Sequence, residues 1–316
     1  MNLVNNFQNY LKEIFNMKYI NFKDTKISKL GLGTVQFGLD YGIANEQGKP
    51  TIEESMKIIN FAYDKGINCF DTSTNYGNAQ EVLGKSLINK TDTFILSKIK
   101  SNIFINNLEN SFDSILKELE INKLNVLFLH DCELLDSWEK SYSYKISKLK
   151  DTNKLDYFGV SIYTNEEFNY AIKNNDIEVI QVPFNIFDQR AINNDWIKKA
   201  EDSGKLLIIR SVFLQGLFFM NQKKIPKNLE IAIPYIKLLE EYSFKLNVKK
   251  SELALNYVDS LLENSPILFG CNSLTRAKET IETFESLKKI DKNILENLKI
   301  DFSNITDKIY DPRKWI

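Results

Sequence analysis

One histidine, six prolines and twelve glycines in 316 residues already exclude several kinds of protein. A single imidazole rules out a histidine-rich zinc centre. The three cysteines, Cys69, Cys132 and Cys271, are odd in number, far apart and form no C-x-x-C pair. That argues against a disulfide framework and for a reducing compartment. Charge of neither sign prevails: 41 basic residues stand against 42 acidic ones, for a formal net charge of -1. No global field therefore draws the chain to nucleic acid or to an anionic membrane. No apolar run approaches the roughly 20 residues needed to span a bilayer. There is no internal repeat and no Pro-, Gly- or Ser-rich linker. What the chain does have is a hydrophobic fraction of 43%, ample for a substantial core. A cytoplasmic globular protein is the expectation.

Residues 1-16 form an N-terminal extension in which Leu3, Val4, Phe7, Tyr10, Leu11, Ile14 and Phe15 recur at helical spacing. The basic start and small-residue cleavage site of a secretory signal are missing. Two readings stand open, a short amphipathic helix or a natural start at Met17. Residues 17-316 read as one domain. Lys18 to Ser28 suggest a hairpin turning at Lys23-Asp-Thr25. Leu30 to Thr34 look like a first core strand, and further strands are expected at 67-71, 93-98, 125-130, 156-161, 178-183, 206-211 and 266-270. Helical spacing fills the gaps, at 52-65 and about 78-88, 104-120, 135-149, 165-174, 193-203, 227-246, 250-263 and 275-287. Runs such as VLFLH and LLIIR are apolar almost throughout, as in parallel strands buried on both faces. Eight such βα units predict an α/β protein, a (β/α)8 TIM barrel with an N-terminal β-hairpin and a C-terminal tail. An open doubly wound sheet is the alternative. The Gly31-Leu-Gly33 pair is no dinucleotide fingerprint, since the next glycine is Gly38 and a polar loop, not a helix, follows the strand.

In a barrel, functional side chains belong at the C-terminal ends of the strands. Those ends supply Asp71, Lys98 and His130, with Tyr76 in the loop just past Asp71. Singly, each has a structural explanation: a turn former, a solvated cation, a core histidine. Together they make an apparatus for adding hydrogen to a carbonyl. A lysine ammonium near Tyr76 is expected to lower the phenol's pKa. Asp71 would hold the lysine, Tyr76 would protonate the carbonyl oxygen, and His130 would hydrogen-bond that oxygen.

From about residue 17 onward the chain resembles an aldo-keto reductase. The motifs are LGLGT at 30-34, GINCFDTSTNYGNAQEVLGKSL at 66-87, ILSK at 95-98, FLHD at 128-131 and FGVSIY at 158-163, supported by QVPFN at 181-185 and RSVFLQG at 210-216. The resemblance implies a catalytic tetrad of Asp71, Tyr76, Lys98 and His130, the aspartate and tyrosine standing five apart as in the family. It also implies a nicotinamide cofactor, with Thr34 near the ribose and Ser161 and Gln181 at the carboxamide. Ser211, Leu214 and Gly216 fall at the pyrophosphate, and Arg210 where many relatives stack an aromatic ring. Gly270, Ser273 and Arg276 open the helix after the last strand, whose free N–H groups suit an anion. Arg276 matches the position that binds the adenosine 2′-phosphate, so NADPH is expected and NAD is less favoured.

The chain departs from relatives at Ile162, where many have a carboxamide-binding asparagine, and at Arg210, Gly270 and Thr280. The implied substrate is a small-molecule carbonyl compound, an aldehyde or ketone, with a sugar-like molecule as one candidate. Its pocket is expected from loops 35-50, 217-226 and 301-316, with Phe37, Tyr41, Phe213, Phe218 and Trp315 as lining candidates. The rival expectations are a dehydrogenase of the same fold acting on an alcohol or sugar, and a cofactor-binding regulatory protein with negligible turnover.

Overall fold

The computed structural model describes residues 17–315, so the N-terminal extension lies outside the described residues. Two antiparallel strands, β1 (Tyr19–Phe22) and β2 (Thr25–Ser28), form the expected hairpin. Eight parallel strands follow: β3 (Leu30–Gly33), β4 (Cys69–Asp71), β5 (Phe94–Ile99), β6 (Leu124–Leu129), β7 (Leu155–Ser161), β8 (Val179–Pro183), β9 (Leu206–Arg210) and β10 (Ile267–Gly270). They close in the order β10-β3-β4-β5-β6-β7-β8-β9. Pairing of β10 with both β3 and β9 rules out the open sheet.

Strand alternation sorts the side chains into two packings. Phe70, Ile95, Leu127, Phe158, Ile180, Leu207 and Phe269 face outward into one apolar cluster shared with the helices. Their neighbours Cys69, Phe94, Leu96, Val126, Phe128, Tyr157, Val179, Leu206, Ile208 and Leu268 face inward and form a second cluster with Ile20, Phe22 and Ile27 of the hairpin. The hairpin therefore closes one end of the barrel interior with its own apolar face. Space inside is tight: a Cβ on Gly159 would lie 2.6 Å from the Phe128 ring and 2.4 Å from the Val179 carbonyl oxygen. Overpacking of that kind costs about 1–3 kcal/mol.

The surrounding helices start where their caps dictate. Helix α1 (Ile52–Asp64) begins at Thr51, whose hydroxyl accepts from the Glu54 N–H, and the chain turns away at Gly66, with φ +87°. Then come α2 (Ala79–Leu87), α3 (Ser101–Glu118), α4 (Lys140–Asp151) and α5 (Asn165–Lys173), the last opened by a capping box of Thr164 and Glu167. Helices α6 (Trp196–Asp202), α7 (Ile233–Leu246), α8 (Lys250–Leu261) and α9 (Leu274–Glu285) complete the units, and α10 (Lys292–Asp301) packs beyond them.

Four expectations shift. The loop after β3 begins with a helical turn, Val35–Gly38, before the polar stretch. The span 227-246 is a 3-10 turn, Lys227–Ala232, followed by α7, and Pro234 sits in the first turn of α7, where its missing N–H needs no partner. Helix α4 starts at Lys140 rather than 135, leaving 130-139 irregular. Helix α10, capped by the Asp291 carboxylate, was not anticipated. Among the described residues, no helix is long and apolar enough to cross a membrane.

Candidate active site

The inward alternation changes chemistry at its last step. On β5 it runs Phe94, Leu96, Lys98; on β6 it continues one residue past the strand as Val126, Phe128, His130. On β4 it runs Cys69, Asp71, on β8 Val179, Gln181, and on β9 Leu206, Ile208, Arg210, while β7 ends on Ser161 and β10 on Gly270. A polar layer thus caps the apolar interior at the C-terminal mouth of the barrel. Seven of the residues expected from the sequence share it.

Lys98 and Asp71 are both buried, 1% and 6% exposed. The ammonium donates to both carboxylate oxygens at 2.6 Å and to the Thr72 carbonyl at 2.9 Å. Moving either ion out of water unpaired would cost several kcal/mol, which this geometry offsets. Gln181 donates to the same carboxylate at 2.8 Å, and its own carbonyl accepts from the Ser161 hydroxyl at 3.3 Å. Burial lowers the Lys98 pKa, with Asp71 opposing the shift.

The loop that follows Asp71 lies across the end of β5. Thr74 donates to the Lys98 carbonyl from both its N–H, at 3.2 Å, and its hydroxyl, at 3.0 Å. This sets the half-buried ring of Tyr76 with its centroid 5.2 Å from the Lys98 Nζ and 5.7 Å from the His130 ring, edge to face. A close backbone approach fixes the other side of the loop. A Cβ on Gly38 would fall 1.6 Å from the Tyr76 carbonyl oxygen, and one on Gly77, with φ +55°, 2.5 Å from the Gly38 carbonyl oxygen. Gly38, which lies out of register for a dinucleotide fingerprint, is needed here instead.

One electrostatic expectation is reversed. Burial, and next the Asp71 charge, push the Tyr76 phenol well above its usual range, whereas Lys98 had been expected to lower it. The Lys98 charge is already matched by the carboxylate clasping it, leaving burial to decide. Tyr76 therefore holds its proton firmly. Burial also lowers His130, to about 3, with Lys98, Arg210 and Lys100 adding to the shift, so its imidazole is neutral near pH 7.

Two further segments expected from the sequence border this layer, past β9 and past β10. After β9, Ser211 (φ 65°), Leu214 (φ 46°), Gln215 (φ 54°) and Gly216 (φ 86°) are left-handed, in a tight turn whose Leu214 and Gly216 N–H groups donate to the Ser211 and Phe213 carbonyls at 2.9 Å. The β3 loop meets this turn where the Ala44 N–H donates to the Gln215 carbonyl at 3.4 Å. Beyond β10, Ser273 caps α9 by accepting from the Arg276 N–H, and Arg276 is exposed on the first turn. Asn272 next to it has a buried Oδ1 with no partner among the described residues. Thr34 donates its hydroxyl to the Asp71 carbonyl at 3.0 Å, tying the end of β3 to the polar layer. The exposed Arg276 guanidinium on the first turn of α9 fits an anionic group such as a dinucleotide's phosphate. Among the described residues, no group of three or more His, Cys, Asp or Glu could hold a metal ion.

Two of the expected substrate-lining residues are not available. Phe37 and Phe218 are fully buried, and Phe218 packs on Phe187 with centroids 4.7 Å apart. The open cleft beside His130, about 640 Å³, is walled instead by residues 131-136 and 163-170, with Arg313 from the tail. Exposed carboxylates (Glu133, Asp136 and Glu166) and the rings of Tyr163 and Tyr170 line it. Two guanidiniums lie over the Tyr163 ring, Arg210 at 4.0 Å and Arg313 at 3.8 Å from its centroid. Arg210 also donates to the Ile162 carbonyl at 3.0 Å. Of this wall the sequence anticipated only the tail; the 131-136 segment was missed because helix was expected from 135.

Comparison with known proteins agrees with this architecture. The chain is 23% identical over 288 residues to an L-galactose dehydrogenase of Arabidopsis thaliana, covering 84% of this chain and 86% of that protein. To a D-arabinose 1-dehydrogenase of Saccharomyces cerevisiae it is 21% identical, covering 86% and 88%. In structure it is similar to the holo form of an aldo-keto reductase of Bacillus halodurans, with TM-score 0.75, 19% identity, and 94% and 99% of the two chains covered. The model of the aldo/keto reductase family matches residues 29–299, and the chain belongs to that family of oxidoreductases.

Proposed function

We propose that the protein reduces an aldehyde or ketone to an alcohol with NADPH, residues 17-316 acting as one catalytic domain and Tyr76 as proton donor. The observation that carries this is the polar layer itself: a protonated phenol and a neutral imidazole converging on a buried ammonium–carboxylate pair. Tyr76 gives its proton to the carbonyl oxygen as negative charge develops there. His130 hydrogen-bonds the same oxygen and fixes its direction. Lys98 sits under the Tyr76 ring, 5.2 Å from its centroid, held there by Asp71, which Gln181 fixes in turn. The reduced nicotinamide, when bound, supplies the hydride.

The residues that would hold the cofactor are Thr34 at the ribose, Ser161 and Gln181 at the carboxamide, and Arg210 at the ring. Ser211, Leu214 and Gly216 would take the pyrophosphate, and Gly270, Ser273 and Arg276 the adenosine phosphate. Arg276 at a helix N-terminus favours the extra phosphate of NADPH over NADH. The cleft supports a neutral, hydroxylated substrate of sugar-like character. Carboxylates accept from hydroxyls, tyrosine rings pack on apolar sugar faces, and the exposed acids repel anionic compounds. A second reading, oxidation of a sugar or alcohol, is favoured by the likeness to two sugar dehydrogenases. Under that reading the raised Tyr76 phenol makes oxidation an alkaline reaction, because oxidation needs the phenolate as base.

A panel of aldehydes, ketones and ketosugars, followed by loss of NADPH absorbance, tests the proposal. Neutral hydroxylated carbonyls should turn over faster than their carboxylated or phosphorylated counterparts. Oxidation of sugars at neutral pH with NAD preferred would establish the second reading. Tight NADPH binding with no consumption by any member would overturn both.

A further inference from the structure

We propose that Asn75 and Ser73 are positioning residues that hold His130 as the tautomer protonated on Nε2, leaving that N–H free to face the substrate. The inference rests on the reading of His130 as the group that hydrogen-bonds the reacting carbonyl. Its own evidence is the other side of the ring. His130 Nδ1 lies 3.2 Å from Asn75 Nδ2 and 3.2 Å from Ser73 Oγ. An amide NH2 can only donate, so Nδ1 must present its lone pair to Asn75. The Ser73 oxygen accepts from the Asn75 backbone N–H at 3.2 Å, which leaves its hydroxyl hydrogen for Nδ1 or for the Lys98 carbonyl at 3.4 Å. In the first case Ser73 donates to the Nδ1 lone pair as Asn75 does; in the second its remaining lone pair is open to a proton on Nδ1, so it is the Asn75 amide that decides the tautomer. A neutral imidazole has one proton, and it is therefore on Nε2.

The placement has a consequence for the loop. Ser73, Asn75 and Tyr76 lie within four consecutive residues, so one segment carries both the proton donor and the groups that set the tautomer of its partner. Asn75 is exposed at the mouth, whereas Ser73 is fully buried beneath it. An imidazole with the opposite tautomer would turn a lone pair, not a donor, toward the carbonyl oxygen and repel it.

The single histidine makes the test direct, because its two ring nitrogens need no assignment in 15N-labelled, tag-free protein. Long-range proton–nitrogen NMR, with and without NADP, should show Nε2 as the protonated nitrogen and Nδ1 as the unprotonated one. In Asn75→Asp the carboxylate can only accept, so Nδ1 should gain proton character and kcat should fall about tenfold or more, with cofactor binding unchanged. Ser73→Thr, which keeps the hydroxyl, should retain the wild-type nitrogen signals. Wild-type protein with Nδ1 protonated would overturn the proposal, as would unmoved imidazole signals in Asn75→Asp. These signals do not depend on turnover. Absence of carbonyl reduction with the Nε2 tautomer in place would instead count against the function proposed above.

Discussion

Desolvation and three cations, Lys98, Arg210 and Lys100, all oppose a charge on His130 and bring its pKa down to about 3. The shift is downward, so the neutral form persists as pH falls from 6.5, the ordinary histidine value, toward about 3. The pH profile of kcat/KM for carbonyl reduction should therefore have no limb near pH 6.5. An acid limb centred there would mean that an imidazolium forms, and that the cations do not bear on it as their positions imply. At the alkaline end the raised Tyr76 phenol has the matching effect, since the acid form needed for reduction is kept beyond its ordinary titration range. Under the proposed function the same shift would make alcohol oxidation an alkaline reaction, so that one side chain would separate reduction and oxidation in pH.

Most elements were legible where a single strand or helix carries its own pattern, α10 being an exception. Phe94-Leu96-Lys98 and Val126-Phe128-His130 show an apolar face giving way to a polar end within one strand, and that signal survives in the sequence alone. Contacts set by the register between elements were not legible. Nothing local to Asn75 says that β6 will bring Nδ1 of His130 within 3.2 Å. Nothing local to Phe37 or Phe218 says that each turns into the core rather than the mouth. The sign of the Tyr76 shift was missed for a similar reason, since it depends on how completely Asp71 matches Lys98. Gly38 is the clearest case: read as a failed phosphate motif, it is the point where the Val35–Gly38 turn touches the backbone of Tyr76. In Gly38→Ala the added methyl must push the two backbones apart. Misplacement of a reacting group by about 1 Å costs on the order of a hundredfold in rate. Turnover should fall toward that extent in a protein that still binds NADPH. Undiminished turnover would show that the turn does not set the tyrosine's position.

At the scale of the molecule, the barrel separates two tasks along its axis. The hairpin and the inward apolar residues close one end and fill the interior, while the last inward position of each strand is released for chemistry. Such an arrangement lets a buried ion pair sit on a rigid floor and still reach the mouth. The turn past β9, the start of α9 past β10 and the cleft past β6 and β7 border the same layer, so under the proposed function a cofactor and a substrate would meet over Tyr76. This convergence is the central claim, and Tyr76→Phe tests it most directly, because the substitution removes one hydroxyl and leaves the ring. The measurement is NADPH consumption at saturating carbonyl substrate beside the wild-type protein, with cofactor affinity followed by fluorescence titration. The predicted result is a fall in turnover of at least about a hundredfold, within the usual share of general acid catalysis, at unchanged cofactor affinity. Turnover at the wild-type level with the cofactor bound normally would contradict the account.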